Sequence, residues 1–228
     1  MQSATRFAVY YTPRPGALAG FGASWLGWDV EAGGPAAHPS VPELARPLHE
    51  ITATPRRYGF HATLKPPFRL AKGHRPADLA DSVERLAARL APVRTNGLEL
   101  ANIGRFLALV PVGDTAPLAA LAAQVVEALD SFRAPMGEAE RARRGAGLSP
   151  RQAALLERWG YPYVMEEFRF HLTLTAPLER AEAAAVSAAL MPRLAPCLPR
   201  PFLLDALSLV AEGEDGHFRV LHRYPLSG

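Results

Sequence analysis

Two short segments of the chain share a pattern that could hold a pair of acid/base groups. They read Gly59-Phe-His-Ala-Thr-Leu64 and Arg169-Phe-His-Leu-Thr-Leu174. In an extended chain the side chains alternate between faces, so each histidine shares a face with the threonine two residues later. The phenylalanine and leucine residues share the opposite face, which is apolar. Each segment therefore predicts a strand with one face for a core and one face for a polar ligand.

Paired histidines of this kind are suited to acid/base displacement at phosphorus. Free imidazole titrates near pH 6.5, so one ring can be neutral while the other is protonated. The neutral ring would take a proton from water, and the imidazolium would protonate the departing alkoxide. His61 and His171 are therefore the candidate catalytic residues, and the sequence does not assign the acid and base roles between them. The other histidines lack metal-ligand spacing, so we expect no metal site.

Neighbouring side chains are candidates for holding the substrate. Thr63 and Thr173 would donate hydrogen bonds to the non-bridging phosphate oxygens. Lys65 and Arg169 share the same predicted strand faces and would offset the phosphate charge. Tyr58 is a candidate for stacking on a base or a sugar.

Element order repeats along the chain. Each half contains an apolar strand, a helix, a loop, the His-x-Thr strand, a proline stop, a helix and another strand. This order indicates an internal duplication within a single bilobal domain, 1–228, with repeats over about 6–104 and 105–228. An approximate twofold axis would bring the two motif strands together across a central cleft.

Turn and cap residues give further local expectations. The stretch 29–55 is loop-like, and Pro66-Pro67 should end the first motif strand because proline cannot donate to a strand ladder. Ser149-Pro150 with Gln152 predicts a capped helix that reaches Trp159. The densest basic run, 141–144, lies beside glycines and predicts a solvated loop.

Composition limits the class of protein. The chain has 228 residues, of which 49% are hydrophobic and 21% charged, which is typical of a soluble globular protein. It shows neither a membrane-spanning apolar run nor signal-peptide features at its start, so we expect it in the cytoplasm. Cys197 is the single cysteine, which excludes an internal disulfide.

The charge balance favours a small ligand. The formal net charge is +3, and the sequence shows no continuous basic track of the kind that binds nucleic acid. We therefore expect a small-molecule phosphate ester as the main partner, with an RNA end as the alternative, no membrane contact, no stable protein partner and no cofactor.

The residues 57–68 and 168–175 resemble the 2H phosphoesterase superfamily, which is named for two His-x-Thr/Ser motifs on pseudo-symmetric lobes. More specifically, they are similar to a branch of uncharacterised bacterial proteins associated with phosphonate-utilisation operons. The resemblance implies an α+β fold in which two antiparallel sheets flank a central cleft, with helices on the outer faces. It also implies metal-independent hydrolysis of a cyclic phosphodiester, with His61 and His171 as the catalytic pair.

Two other functions fit the same residues. A binding module would recognise a phosphate ester or an RNA end without turnover, and would show no bell-shaped dependence of rate on pH. A 2′-5′ RNA end-processing enzyme would need basic residues beyond the cleft and would bind RNA with steep salt dependence.

Overall fold

The structure is a computed structural model and describes residues 4–228. Its strands are β1 (Phe7–Tyr11), β2 (Trp28–Asp29), β3 (Gly34–Pro35), β4 (Ala62–Phe68), β5 (Val93–Thr95), β6 (Gly97–Ile103), β7 (Phe106–Val112), β8 (Leu172–Thr173), β9 (Phe202–Leu204), β10 (Ala206–Glu212) and β11 (Phe218–Pro225). Its α-helices are α1 (Ala17–Leu26), α2 (Leu48–Ile51), α3 (Ala53–Arg56), α4 (Pro76–Ala87), α5 (Ala116–Ala128), α6 (Glu138–Gly145), α7 (Pro150–Trp159) and α8 (Arg180–Leu194). Elements of both kinds alternate along the chain, and every strand pairing is antiparallel, which confirms the predicted α+β class.

The first large sheet has four strands in the order β11-β10-β1-β4. All five residues of β1 are buried, because this strand has a neighbour on each side and lies within the apolar core. Along the pairing of β1 with β4, Tyr10 lies opposite Thr63, and the register shifts between this pair and the pair Val9 with Lys65. This irregularity interrupts the alternation of faces in β4 just after the motif threonine.

The second large sheet has three strands in the order β6-β7-β8. A tight hairpin joins β6 to β7 with continuous register from Gly97 opposite Val112 to Ile103 opposite Phe106. Strand β8 carries the second motif, and its Thr173 lies opposite Ala108. The pairs β2-β3 and β5-β9 form two small sheets.

Both large sheets follow one plan. Motif strand β4 pairs with β1, which pairs with β10, and motif strand β8 pairs with β7, which pairs with β6. Strand β6 follows the first motif along the chain but joins the second sheet, and β10 follows the second motif but joins the first. In terms of the predicted repeats, β6 of the first therefore joins the sheet of the second motif, and β10 and β11 of the second join the sheet of the first motif.

Each motif strand lies at the edge of its sheet, and β4 contacts β8. Helix α4, which follows the first motif, packs on β10 and β11 of the first sheet. Helix α8, which follows the second motif, packs on β6 and β7 of the second sheet. Helix α5 packs on β4. Within residues 4–228, no helix has the length and apolar character needed to cross a membrane.

The predicted cap of α7 is confirmed, and three other local predictions differ from the structure. Ser149 and Gln152 form the expected reciprocal cap of α7, with the Ser149 Oγ accepting from the Gln152 backbone N–H at 3.2 Å. Residues 29–55 contain α2, most of α3 and the small β2-β3 hairpin in addition to loops. Pro66-Pro67 does not end β4, because an edge strand tolerates residues that cannot donate to a ladder. The run 141–144 is helical, within α6.

Candidate active site

The two motif histidines are held in the same way. The Nδ1 of His61 lies 2.9 Å from the carbonyl oxygen of Gly59, and the Nδ1 of His171 lies 2.7 Å from that of Arg169. A carbonyl oxygen only accepts, so each Nδ1 must carry the hydrogen. In the neutral ring this leaves Nε2 as the basic atom. Both histidines thus present the same nitrogen for proton transfer.

The first motif threonine lies beside this nitrogen. The Nε2 of His61 is 3.0 Å from the Oγ1 of Thr63. Thr63 and Thr173 line one cavity of about 270 Å³, whose walls consist of Arg6, Tyr10, Tyr58, His61, Thr63, Pro66, Pro67, Arg144, Tyr161 and Thr173. We call it the histidine cavity. It brings together His61 and both motif threonines, but His171 is not among the residues that line it.

Burial holds both imidazoles neutral at physiological pH. Desolvation lowers the pKa of His61 from 6.5 to about 4, against the opposing effect of the Gly59 carbonyl, and His171 is near enough to lower it further. Desolvation also lowers the pKa of His171, while the Arg169 carbonyl acts in the opposite direction. A negatively charged phosphate beside either ring would favour its protonated form and raise its pKa.

Tyr10 is a functional candidate that the sequence reasoning missed. Its ring stacks on His61, with ring centroids 3.9 Å apart and an interplanar angle of 29°. The side chain is fully buried, and its hydroxyl has no hydrogen-bonding partner among the described residues, although Tyr10 lines the histidine cavity. Burial raises the pKa of Tyr10 well above 10, so the hydroxyl is a donor at any working pH. A buried donor of this kind is costly unless a ligand accepts from it.

The prediction for Lys65 is wrong. Its side chain is buried, with 1% of the residue exposed, and the ammonium donates to the carbonyl of Val126 at 3.1 Å and to Asp130 at 3.4 Å. The register shift in β4 breaks the alternation that would have placed Lys65 on the face of His61. Lys65 therefore joins β4 to the end of α5. The equivalent Thr175 is also structural, since its hydroxyl accepts from the backbone N–H of Leu107.

Arg169 and Tyr58 occupy different places. The Arg169 side chain is exposed and lines a separate hollow with Asn102 and Phe168, so the structure does not place it in the histidine cavity. Its backbone carbonyl orients His171 instead. Tyr58 does line the histidine cavity, and its ring centroid is 6.0 Å from that of His61. Its stacking role stays a prediction.

Two arginines supply the positive charge that Lys65 and Arg169 do not. Arg6, just before β1, and Arg144, in α6, both line the histidine cavity. Arg6 binds both carboxylate oxygens of Glu212 at 2.6 Å, and Arg144 pairs with Glu140 at 2.8 Å. The basic run 141–144 drew attention to Arg144 in the sequence. Because this run is predicted from its sequence to be a solvated loop, Arg144 is not among the predicted site residues. Arg6 carried no signal beyond its place at the start of a strand.

Metal ligation finds no support in the described part of the chain. Within residues 4–228, no group of three or more His, Cys, Asp or Glu side chains is arranged to hold a metal ion. The ionisable groups that line the histidine cavity are imidazole, phenol and guanidinium.

Two antiparallel sheets, each with a motif strand at its edge, are the arrangement that the resemblance of residues 57–68 and 168–175 implied. The chain belongs to the family described as "Protein of unknown function (DUF1045)", whose model matches residues 63–219.

Curated relatives include two proteins named "Ribose 1,5-bisphosphate phosphokinase PhnN". The one from Janthinobacterium sp. (strain Marseille) is 39% identical over 100% of this chain, which spans 52% of that protein. The one from Laribacter hongkongensis (strain HLHK9) is 38% identical over 92% of this chain and 49% of that protein. The chain therefore spans about half the length of the curated relatives it matches.

Solved structures with a similar chain trace include E. coli LigT complexed with 3′-AMP and TT0787 of Thermus thermophilus. The first is 17% identical with a TM-score of 0.46, and the alignment covers 99% of both chains. The second is also 17% identical, with a TM-score of 0.45 and 98% coverage of both chains.

Proposed function

We propose that this protein is a phosphodiesterase that hydrolyses a cyclic phosphodiester by acid/base catalysis at His61 and His171, without a metal ion. The observation that carries the proposal is the matched anchoring of the two imidazoles. Each ring donates from Nδ1 to the carbonyl two residues earlier, so each keeps Nε2 for proton transfer. A purely structural pair of histidines would not need the same tautomer at both positions.

In the proposed reaction, water attacks phosphorus and one ester P–O bond breaks. The neutral imidazole takes a proton from the water as the new P–O bond forms, and the imidazolium gives a proton to the leaving alkoxide. A cyclic phosphodiester is thereby opened to a phosphomonoester and a free hydroxyl. Thr173 and Tyr10 donate hydrogen bonds to the non-bridging oxygens, where charge develops, and the Thr63 hydroxyl, which donates to the His61 Nε2 in the free enzyme, turns to a non-bridging oxygen when substrate binds.

The surroundings of the two rings favour His61 as the base. Tyr10 lies opposite Thr63 in the first sheet, whereas the small Ala108 lies opposite Thr173 in the second. The stacked tyrosine therefore encloses His61, whose pKa of about 4 keeps it neutral. His171, which has no tyrosine stacked on it among the described residues, is the ring that takes a proton from solvent more readily when the charge of the substrate phosphate raises its pKa, and it is thus the acid in the hydrolytic direction.

The relatives' kinase name does not fit the residues of this chain. A phosphate-binding loop of the common nucleoside-triphosphate type needs Gly-Lys followed by Ser or Thr. The lysines here are Lys65 and Lys72, which follow Leu64 and Ala71. The name does contain a ribose bisphosphate, and together with the resemblance to phosphonate-associated proteins it favours a phosphorylated ribose as the substrate. A role in phosphonate metabolism is part of this proposal.

Mutation of the histidines tests the proposal directly. Nucleoside 2′,3′-cyclic phosphates and ribose cyclic phosphates would be offered to the parent with and without a chelator. We expect turnover that survives the chelator and that falls roughly 10²- to 10⁴-fold in His61→Ala and in His171→Ala. His74→Ala is the matched control, since His74 packs on Phe132 outside the cavity. Near-native turnover in either His61→Ala or His171→Ala would contradict the proposal.

The same experiment separates the alternatives. A binding module would bind these esters but leave them intact, with affinity reduced in the histidine variants. An RNA end-processing enzyme would instead cleave short 2′-5′ RNA in preference to the cyclic mononucleotides, and its affinity would fall steeply with salt.

A further inference from the structure

A second cavity, rich in arginine, adjoins the histidine cavity. Five arginines contribute to its wall: Arg6, Arg57, Arg69, Arg143 and Arg144. It has a volume of about 800 Å³. We call it the arginine pocket. We propose that it binds a second phosphate group of the substrate, a phosphomonoester on the same small molecule that carries the cyclic phosphodiester. This inference rests on the proposed function and narrows its substrate class.

The arginine pocket carries an excess of positive charge. Its carboxylates are Glu140 and Glu212, two against five guanidinium groups. Each carboxylate is already held by one arginine at 2.8 Å or less, Glu140 by Arg144 and Glu212 by Arg6. The remaining three arginines are thus not neutralised at close range. A phosphomonoester, with a charge of about −1.5 to −2 near pH 7, would offset this excess.

These three arginines converge from separate parts of the chain. Arg57 and Arg69 approach the two carboxylates only at 3.9 Å and 3.7 Å, and both side chains are more than half exposed. Arg57 lies just before the first motif, Arg69 just after β4, and Arg143 on α6. Guanidinium groups bind phosphate oxygens through two parallel hydrogen bonds, which suits them to a fixed phosphate position.

Continuity with the histidine cavity places the second phosphate on the same molecule. Arg6, Tyr58 and Arg144 line both cavities. The Tyr58 ring lies on this shared wall, with its centroid 6.0 Å from that of His61. A sugar with a cyclic phosphodiester at one end and a phosphomonoester at the other would span the two cavities and pass over the Tyr58 ring.

Substrate preference tests the pocket. Adenosine 2′,3′-cyclic phosphate would be compared with the same compound carrying a 5′-phosphate. We expect kcat/KM to be at least tenfold higher for the doubly phosphorylated compound. The double variant Arg57→Ala/Arg69→Ala should reduce this ratio to near one. Arg141→Ala is the matched control on α6, because Arg141 pairs with Glu157 outside the pocket and should keep the parent ratio.

A binding measurement separates failure of the pocket from failure of the proposed function. Ribose 5-phosphate would be titrated calorimetrically into the parent and both variants at constant ionic strength. Affinity should fall at least tenfold in the double variant and stay unchanged in Arg141→Ala, whether or not any cyclic ester is turned over. Equal affinity in the parent and the double variant would overturn the proposal. So would affinity for 5′-phosphorylated RNA that grows with each added nucleotide, which would indicate an RNA track.

Discussion

His61 and Tyr10 lie face to face, and this contact makes the two motif histidines inequivalent. The stacked phenol contributes to the burial that lowers the pKa of His61 to about 4. His171 has Phe106 at 5.7 Å in a tilted arrangement and no stacked tyrosine. The imidazole of His61 is therefore held in its neutral form more strongly than that of His171, as expected if His61 is the base and His171 the acid.

The acidic limb of the pH–rate profile should lie well below pH 6.5. Activity needs neutral His61, and its depressed pKa means that protonation removes the base only as pH falls towards about 4. Tyr10→Leu would expose the ring and move the limb of kcat/KM upward, whereas Tyr10→Phe would keep the stack and leave the limb in place. Circular dichroism at each pH checks folding. A limb at 6.5 in the parent would contradict the assignment of His61.

Tyr10→Phe also separates a binding role from a structural one. The hydroxyl has no partner among the described residues, so its removal should leave the free energy of unfolding unchanged or raise it. It should lower kcat/KM for a cyclic phosphodiester by about ten- to a hundredfold, the effect of losing one hydrogen bond to a charged group. Urea unfolding and steady-state kinetics give the two quantities. A destabilised variant with unchanged kinetics would argue against the role.

Lys65 is expected to have a structural role, as a buried charge paired with Asp130, and no role in catalysis. Burial lowers its pKa to about 8, and Asp130 opposes that effect. Lys65→Met should keep kcat/KM and change the unfolding free energy only modestly, because an apolar side chain of similar size replaces a buried charge. Asp130→Ala should cost about 3–5 kcal/mol, since it leaves the buried ammonium without its counter-charge. Loss of turnover in a folded Lys65→Met variant would show that Lys65 does contribute to catalysis.

The turn before β4 sets the position of the first motif. Gly59 has a φ of +74°, a conformation that side chains with a Cβ adopt at a cost of about 1–2 kcal/mol. A Cβ at this position would also lie 2.5 Å from the Cβ of Val30. The Gly59 carbonyl is the group that orients His61. The turn therefore combines a left-handed backbone conformation, close packing and the orientation of the His61 ring, the proposed base.

Gly59→Ala should reduce both stability and turnover. Gly73→Ala is the matched control, because Gly73 has a φ of +92° but no atom within 4 Å of an added Cβ. The difference in unfolding free energy between the two variants isolates the contact with Val30, and only Gly59→Ala should lower kcat. Equal effects of the two substitutions on kcat would show that the turn does not position His61.

Across the whole molecule, the exchange of strands ties the two repeats together. Trp25 on α1 donates from its indole nitrogen to the carbonyl of Leu174, just beyond the second motif strand, at 3.0 Å. The backbone N–H of Ala176 donates to the carbonyl of Ile51 at 2.7 Å. Because each large sheet also contains strands from the half of the chain that carries the other motif, neither sheet can form completely without that half.

Unfolding should therefore occur in one cooperative step. In the double variant Trp25→Phe/Trp159→Phe the tryptophan fluorescence comes from Trp28, whose indole donates to the Phe218 carbonyl in β11 of the first sheet at 2.9 Å, whereas far-ultraviolet circular dichroism reports the whole chain. We expect the two urea transitions to coincide. Fluorescence that changes at a distinct urea concentration would show that the repeats unfold independently.

Much of the fold could be read from the sequence because it rests on local chemistry. The cap at Ser149 and Gln152 defines the start of α7, and the apolar spacing of Val186, Leu190 and Leu194 marks a helix face at any position in the fold. The duplicated motif identified His61, Thr63 and Thr173, which line one cavity, whereas His171 is not among the residues that line it.

Tertiary structure decided the rest, because those features depend on contacts between distant residues. A register shift in β4 directs the Lys65 side chain into the core, and the alternation of polar and apolar residues in the sequence did not predict that shift. Arg6 and Arg144 reach the histidine cavity only because the start of β1 and helix α6 meet beside it. The exchange of β6 and β10 between the sheets is likewise a choice of pairing partner, which hydrophobic alternation within a single strand does not specify.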